Sequence, residues 1–398
     1  MNKHVALLLI AVVASPCVAE EKKGKKPKAI DQARVNRVLR DVERIVQVKN
    51  VKQVPGSFVT RADFQKHSEQ QFEMLFPQQR LAGTLAMVKA LGLVPRAIGD
   101  VKTLLKKFNT PAIAYYNAAT KKMHFIGDKT SDGTLFHELV HAVQDQRHDL
   151  IKLSRLMATN GTLDNLVALK FLVEGEATLW TKIYGRKSDK KVKDYSDVSA
   201  RFLLGGFKPL TSKQIVRNLQ ANSKNNPQLL FAAIAMRLAP RIMVRFAYLP
   251  YTTGDNAAFY VVKRHGAAGL HKLYQQPLLL NSRDMLFAKE VLGQQWGIEK
   301  VTLKQRDRPD GVAWKMLHRD TLGAFIWHTL LEDKPELANE ICAAWSGDTV
   351  ELWKNKKAER LIGIVSFHNE DAAKKFAAEF KAKKYEVKVE GRKVRLRK

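Results

Sequence analysis

Thr134-Leu135-Phe136-His137-Glu138-Leu139-Val140-His141-Ala142-Val143-Gln144-Asp145-Gln146 is the stretch on which the reading of this chain turns. From Leu135 to Val143 it is apolar around most of a helical circumference, so a helix over 134–146 has to be buried. His137 and His141 are four residues apart. On a helix that spacing sets them about 40° apart and about 6 Å along the axis, so both imidazoles leave one face. Two neutral imidazoles so arranged suit zinc, which takes nitrogen ligands at ~2.0–2.1 Å. Glu138 stands at the edge of the same face. It can reach a water beside the ion without ligating it, as a general base must. Burying two His and a Glu on one side of an apolar helix costs desolvation energy, and a metal is a reason to keep them there.

Two histidines do not close a zinc site; a third protein ligand is required, with a fourth position for water. The next long apolar helix, Leu163 to Tyr184, offers Val173-Glu174-Gly175-Glu176-Ala177. Glu174 is the candidate ligand and Glu176 its rival. They point about 200° apart round the helix, so both cannot face the ion. Gly175 disfavours the helix by about 1 kcal/mol relative to Ala, and its expected use is close approach to the His137–His141 helix. Asp145, one turn past His141, could orient that ring, or could serve as a plain capping or surface carboxylate. His148 lies on the ligand stripe but about 10 Å beyond His141, too far for the same ion.

The motif helix and the Glu174 helix together resemble the gluzincin metallopeptidases, which pair HExxH with a Glu-Gly-x-Ala on a second helix. By that match Glu174 is the third zinc ligand and Ala177 the small residue near the site. The likeness extends to a group of secreted bacterial proteins of unassigned activity with the signature HELxHALQDQ, an Asp, then EGEA. Here Phe136 to Gln146, Asp149-Leu150, Ala114-Tyr115-Tyr116-Asn117, Pro250-Tyr251-Thr252-Thr253-Gly254 and Ala344-Trp345-Ser346-Gly347-Asp348 carry it, over roughly residues 60–380. Val143 stands where Leu is usual, and Arg147-His148 has a His where an aromatic is commoner. The resemblance implies water-mediated peptide hydrolysis with one zinc per chain. Glu138 takes the proton and passes it to the leaving amine. Tyr251 is the candidate oxyanion donor, its alternative being a structural aromatic. The strand near Met123–Ile126 is similar to the gluzincin edge strand that pairs with extended substrate. The Gly-x-Met-Glu-Asn motif of gluzincin aminopeptidases is absent, which favours an endopeptidase.

Outward from this centre, residues 1–19 read as a signal peptide. Lys3 is basic, Val5 to Ala14 is an apolar run, and Val18-Ala19 is a small-residue exit before Glu20. The expected location is therefore periplasmic or extracellular. Beyond that leader Cys342 is the single cysteine, so no internal disulfide is expected. Residues 20–29 (EEKKGKKPKA) form a charged linker. Apolar spacing predicts helices over Ile30–Val48, over Arg61–Leu93 with a break at Pro77, and over Val101–Phe108. Ala112–Tyr116 and Met123–Ile126 read as a hairpin. Further helices are expected over Lys213–Leu219, Gln228–Ala239, Asp255–His265, Ser282–Leu292 and Asp320–Glu332. The tail reads as strand Leu361–Phe367, helix Asp371–Lys383 and a hairpin of Tyr385–Val389 with Arg392–Leu396. The expected fold class is α+β, mainly helical. A metallopeptidase domain spans 30–345 and a small basic βαββ subdomain spans 350–398.

The chain of 398 residues holds 68 Lys and Arg against 39 Asp and Glu, a formal charge of +29, and is 45% hydrophobic. That composition excludes a disordered or fibrous chain, and two cysteines exclude a disulfide scaffold or four-cysteine zinc module. The cations are spread along the chain and densest after residue 351, with 15 basic and 7 acidic residues. Such a surface could meet an anionic envelope polymer or lipid headgroups. It lacks the interleaved aromatics of a nucleic-acid platform, so no nucleic-acid partner is expected. Peptide or protein is the expected substrate. The competing readings are a cell-envelope binding protein without turnover and a zinc hydrolase of cell-wall amides. No Gly-x-Ser-x-Gly elbow, Walker loop or Gly-x-Gly-x-x-Gly is present.

Overall fold

Val35, Val38, Leu39, Val42 and Val46 recur every three or four residues, and this stripe drives the first helix, α1 (Gln32–Val46), into the core. Asp31 starts α1 by accepting from the Arg34 N–H. The computed structural model describes residues 30–75, 77–100, 113–126, 130–186, 208–223, 227–291, 297–309 and 313–398. The signal segment 1–19, the linker 20–29 and the helix expected over 101–108 lie outside these residues. The architecture is α+β and mainly helical, with two small sheets.

Pro77 divides α2 (Arg61–Leu75) from α3 (Gln78–Ala90), where it sits as the cap of the second helix. The hairpin strands are β2 (Ala114–Asn117) and β3 (Lys122–Phe125), antiparallel, with Tyr116 opposite Met123. A short strand, β1 (Gly56–Phe58), adds to β3 in parallel and gives the order β1-β3-β2. Next come α4 (Asp132–His148), α5 (Leu150–Asn160) and α6 (Leu163–Gly185). Ser131 caps α4 through the Thr134 N–H, and Thr162 with Asn165 forms a capping box on α6. Both helices are buried over most of their surfaces, as runs apolar all round require.

The second half continues with α7 (Ser212–Ala221), α8 (Pro227–Leu238), α9 (Arg241–Thr252), α10 (Gly254–His265) and α11 (Ala267–Gln275). The helix expected over Ser282–Leu292 is broken at Phe287 into α12 (Ser282–Leu286) and α13 (Ala288–Val291). The helix expected from Asp320 starts later. Residues Lys315–Asp320 form β4, and α14 covers only Gly323–Leu330 after Gly323 turns the chain at φ 76°. Then follow α15 (Pro335–Ala343), β5 (Trp345–Lys354), β6 (Glu359–Phe367), α16 (Glu370–Ala382), β7 (Glu386–Glu390) and β8 (Lys393–Arg397).

The expected βαββ pattern is present as β6-α16-β7-β8. Its strands continue β4 and β5 in one antiparallel sheet, ordered β4-β5-β6-β8-β7. Phe376 and Phe380 of α16 pack edge-on against Trp327 of α14, with centroids 5.3 and 5.5 Å away. One apolar cluster thus runs from Val35 to Leu396. The Ala344–Asp348 segment locks this junction. Asp348 accepts from the Leu322 and Gly323 amides and from the Trp327 and Trp345 indoles at 2.8–3.1 Å. Cys342 is a free, buried thiol in the same core. Among the described residues no helix is long and apolar enough to cross a membrane.

Gly175 has a different use from the one its sequence suggests. A Cβ there would overlap the backbone of Gly254 at the start of α10, and one on Gly254 would press on the Phe171 carbonyl. The close approach is therefore between α6 and α10, not between α6 and the His137–His141 helix. We expect Gly175→Ala to destabilise the fold by about 2–4 kcal/mol, read from denaturant unfolding with unchanged m-value, because two backbones would have to part. A cost under about 0.5 kcal/mol would show that the crossing is loose.

Candidate metal centre

The helical register of α4 brings His137 and His141 to one side, and α6 crosses beside them with Glu174 inward. The two imidazole Nε2 atoms are 3.2 Å apart, and Glu174 Oε2 is 3.4 Å from each. The three residues can hold a metal ion. His137, His141 and Glu174 are 3, 9 and 5% exposed, and Glu138 1%. Groups this deep in the core need partners, and here some polar atoms have none: Glu174 Oε2 and Glu138 Oε1 are buried without a hydrogen-bond partner.

The surrounding bonds decide which ring nitrogens carry protons. Gln144 Nε2 donates to the Val173 carbonyl and to Glu176 Oε2, both at 2.9 Å. Those partners only accept, so the amide oxygen must face His141 Nδ1, 2.7 Å away, and Nδ1 donates. Thr181 spends its hydroxyl proton on the Ala177 carbonyl at 2.7 Å and so receives His137 Nδ1 at 3.5 Å. Both Nε2 lone pairs then face each other and a carboxylate oxygen. Three electron-pair donors converging on one point repel unless a cation lies between them. Otherwise a proton must take that role. Burial pulls His141 down, yet the Glu174 carboxylate outweighs it and raises the ring to about 9. Burial holds His137 below its ordinary value.

Glu174 shares its charge between two sides. Oε1 receives the Lys170 ammonium at 2.8 Å, leaving Oε2 for the centre. Although burial opposes it, Lys170 and His141 hold this carboxyl well below the usual range. Glu176 is turned away and fully occupied by Gln144, Trp180 Nε1 at 3.3 Å and Tyr274 OH at 2.7 Å. The rivalry between the two carboxylates is therefore resolved in favour of Glu174. Glu138 Oε2 accepts the Tyr116 N–H at 3.0 Å, while burial pushes its carboxyl up to about 7.

The role offered to Asp145 belongs to Gln144. Asp145 is taken up by the Tyr116 hydroxyl at 2.7 Å, Lys121 at 2.7 Å and the Leu150 N–H at 3.0 Å, tying α4 to the hairpin. His148 stacks on Tyr274, centroids 4.2 Å apart, away from the centre. Tyr251, at the end of α9, stacks on His137 at 5.9 Å, and its phenol bonds to the Glu174 carboxylate. Burial and that neighbour hold it well above the ordinary phenol value, so it stays protonated. The strand expected to be an edge is not one. β3 is hydrogen-bonded on both sides, by β1 and β2, and cannot pair with a substrate. Among the described residues β1 and β2 are the outer strands of this sheet, and the Tyr116 N–H of β2 is given to Glu138.

Gln144 was missed in the sequence because it carries no charge. Gln144→Met should keep the packing and the fold while lowering metal affinity about 10–100-fold in a chelator competition titration, since the His141 tautomer is no longer held. Unchanged affinity would remove Gln144 from the centre's support. Comparison with models of known protein families, with curated proteins and with solved structures gives no match in any of the three. The likeness of the motifs to the gluzincins rests on those residues themselves.

Proposed function

We propose that the protein is an exported zinc-dependent peptidase of gluzincin type, with His137, His141 and Glu174 as ligands and Glu138 as general base. The observation that carries this is the convergence of three electron-pair donors beside an unpartnered Glu138 oxygen. Their separations of 3.2–3.4 Å match the edge of a tetrahedron with ~2.0–2.1 Å bonds, about 3.3 Å. Nitrogen and carboxylate donors in a two-to-one set suit zinc better than the hard, oxygen-seeking magnesium or calcium.

Zinc bound there supplies Lewis acidity, polarising a scissile carbonyl and acidifying a water molecule. The chain's own residues do the rest. Glu138 is fixed at one oxygen by the Tyr116 N–H, and its other oxygen is open to take a proton from the attacking water. A carboxyl raised to about 7 can then hand that proton to the leaving amine near neutrality. Tyr251 is a neutral donor beside the centre; it orients Glu174 and is placed to share its proton with a developing oxyanion. Lys170 keeps Glu174 ionised.

The test is a digest of a proteome-derived peptide library by the mature protein, with products read by mass spectrometry. Cleavage that chelation stops and zinc restores is the expected result. Zinc-loaded protein that leaves every peptide intact would overturn the peptidase reading and leave the cell-wall amide or the binding role.

A further inference from the structure

The positive charge is placed differently in the fold from its density in the sequence. In the tail, about half of the cations are spent on internal partners, among them Lys375 on Asp371 and Glu340, Lys393 on Glu299, Arg395 on Asp307 and Glu390, and Arg397 on Glu386. Exposed ion pairs of this kind leave little field for a partner. A different region carries no acids of its own, and only Lys208, Arg241 and Arg245 among its described cations meet acids from elsewhere, Glu336, Glu332 and Asp333. Between Asp197 and Asp255 the chain has no acidic residue and eight basic ones. Its described part includes α7 and α8, which pack on each other. On α7, Lys213 and Arg217 are exposed one turn apart. Neither they nor Arg237 of α8 form an ion pair with a described acidic residue.

The same region carries the main unpartnered apolar ladder among the described residues. Leu230, Ile234 and Leu238 of α8 are 45, 47 and 75% exposed. Spacing by four keeps them within an arc of about 80° on one helix face. Arg237 is exposed on that face too, while Ala232 and Ala233 are buried. An exposed apolar stripe with an arginine on the same face, beside a helix with two exposed cations that have no acidic partner, suits a helix lying in the headgroup region of a bilayer, its aliphatic side chains dipping in and its arginine reaching back to phosphate. The helix has 12 residues, about 18 Å, which is too short to span a membrane.

We propose that α8, with the cations of α7, is an interfacial anchor that seats the protein on an anionic lipid bilayer. The absence of acids from this stretch is what selects an anionic lipid surface over a second copy of the chain, which would bring like charge to like. The assignment is independent of what the metal centre does.

The test is co-sedimentation of the mature chain with vesicles of phosphatidylcholine containing roughly one third phosphatidylglycerol, against phosphatidylcholine alone. Binding to the anionic vesicles should be at least about tenfold tighter and weaken with added salt. Ile234→Glu with Leu238→Glu should lower it at least about tenfold, and Lys213→Glu or Arg217→Glu about fivefold each or more. These side chains are exposed, so circular dichroism and metal content should not change. Wild-type protein that stays in the supernatant, or a double variant that binds as wild type, overturns the proposal. A wild-type dimer that the double variant converts to monomer also overturns it and gives the face to a second copy.

Discussion

The purified protein is expected to hold close to one divalent ion per chain, and His137→Ala to hold none. The argument is electrostatic before it is chemical. The outer hydrogen bonds put each neutral ring's proton on Nδ1 and turn its Nε2 lone pair inward, where the two Nε2 atoms stand 3.2 Å apart with Glu174 Oε2 3.4 Å from each, so either a proton or a cation has to lie between them. Removing one of three ligands takes away far more than a third of the affinity, because the remaining pair no longer encloses the ion. Stability should follow. A ligand that binds only the folded state adds about 4 kcal/mol at a thousandfold excess over Kd. Chelation should therefore lower the Tm of the wild type and leave that of His137→Ala unmoved. Metal analysis by mass spectrometry with parallel thermal scans is the measurement. His137→Ala with its full complement of metal would sink the ligand assignment.

How much of this was legible in the sequence varies with the kind of contact. His137 and His141 are set on one face by the helical repeat alone, and the apolar residues around them fix that helix as buried. Glu174 was legible as one of two carboxylates. Choosing it needed the outer contacts of Glu176, which come from Gln144, Trp180 and Tyr274, on α4, α6 and α11. Gln144 and Asp145 are adjacent, about 100° apart round α4, and no periodicity says which meets the His141 support. The answer depends on the Val173 carbonyl arriving from another helix. Gly175 announced a close approach without naming the partner, and the partner was Gly254. The hairpin was visible from its own alternation. The pairing of β3 with β1 was not, because three residues carry no readable period and the pairing is long-range. Helix α9 was missed because Pro250 sits inside it. So near the C-terminus, that proline breaks few backbone bonds.

The second large effect is expected from Glu138→Gln, which should keep the metal and the fold and lose about a thousandfold or more in turnover. The amide has the same shape, and its oxygen can still accept the Tyr116 N–H, so the tie between α4 and β2 survives. What changes is the other atom. Glu138 Oε1 is buried with no partner and is free to accept a proton; in the variant that position holds an NH2 group, which has no lone pair to offer. General acid–base assistance contributes about 10²–10⁴-fold in such reactions. Here one carboxyl is asked both to take the proton and to deliver it, which places the loss toward the upper end. The ligands are untouched, so the metal-to-protein ratio must match the wild type. That pairing separates the roles. A variant that loses its metal would make Glu138 part of the ligand shell or its support. A variant that keeps both metal and full turnover would place the base elsewhere. Only a full metal complement with lost turnover fits a carboxylate whose free oxygen exists to move a proton.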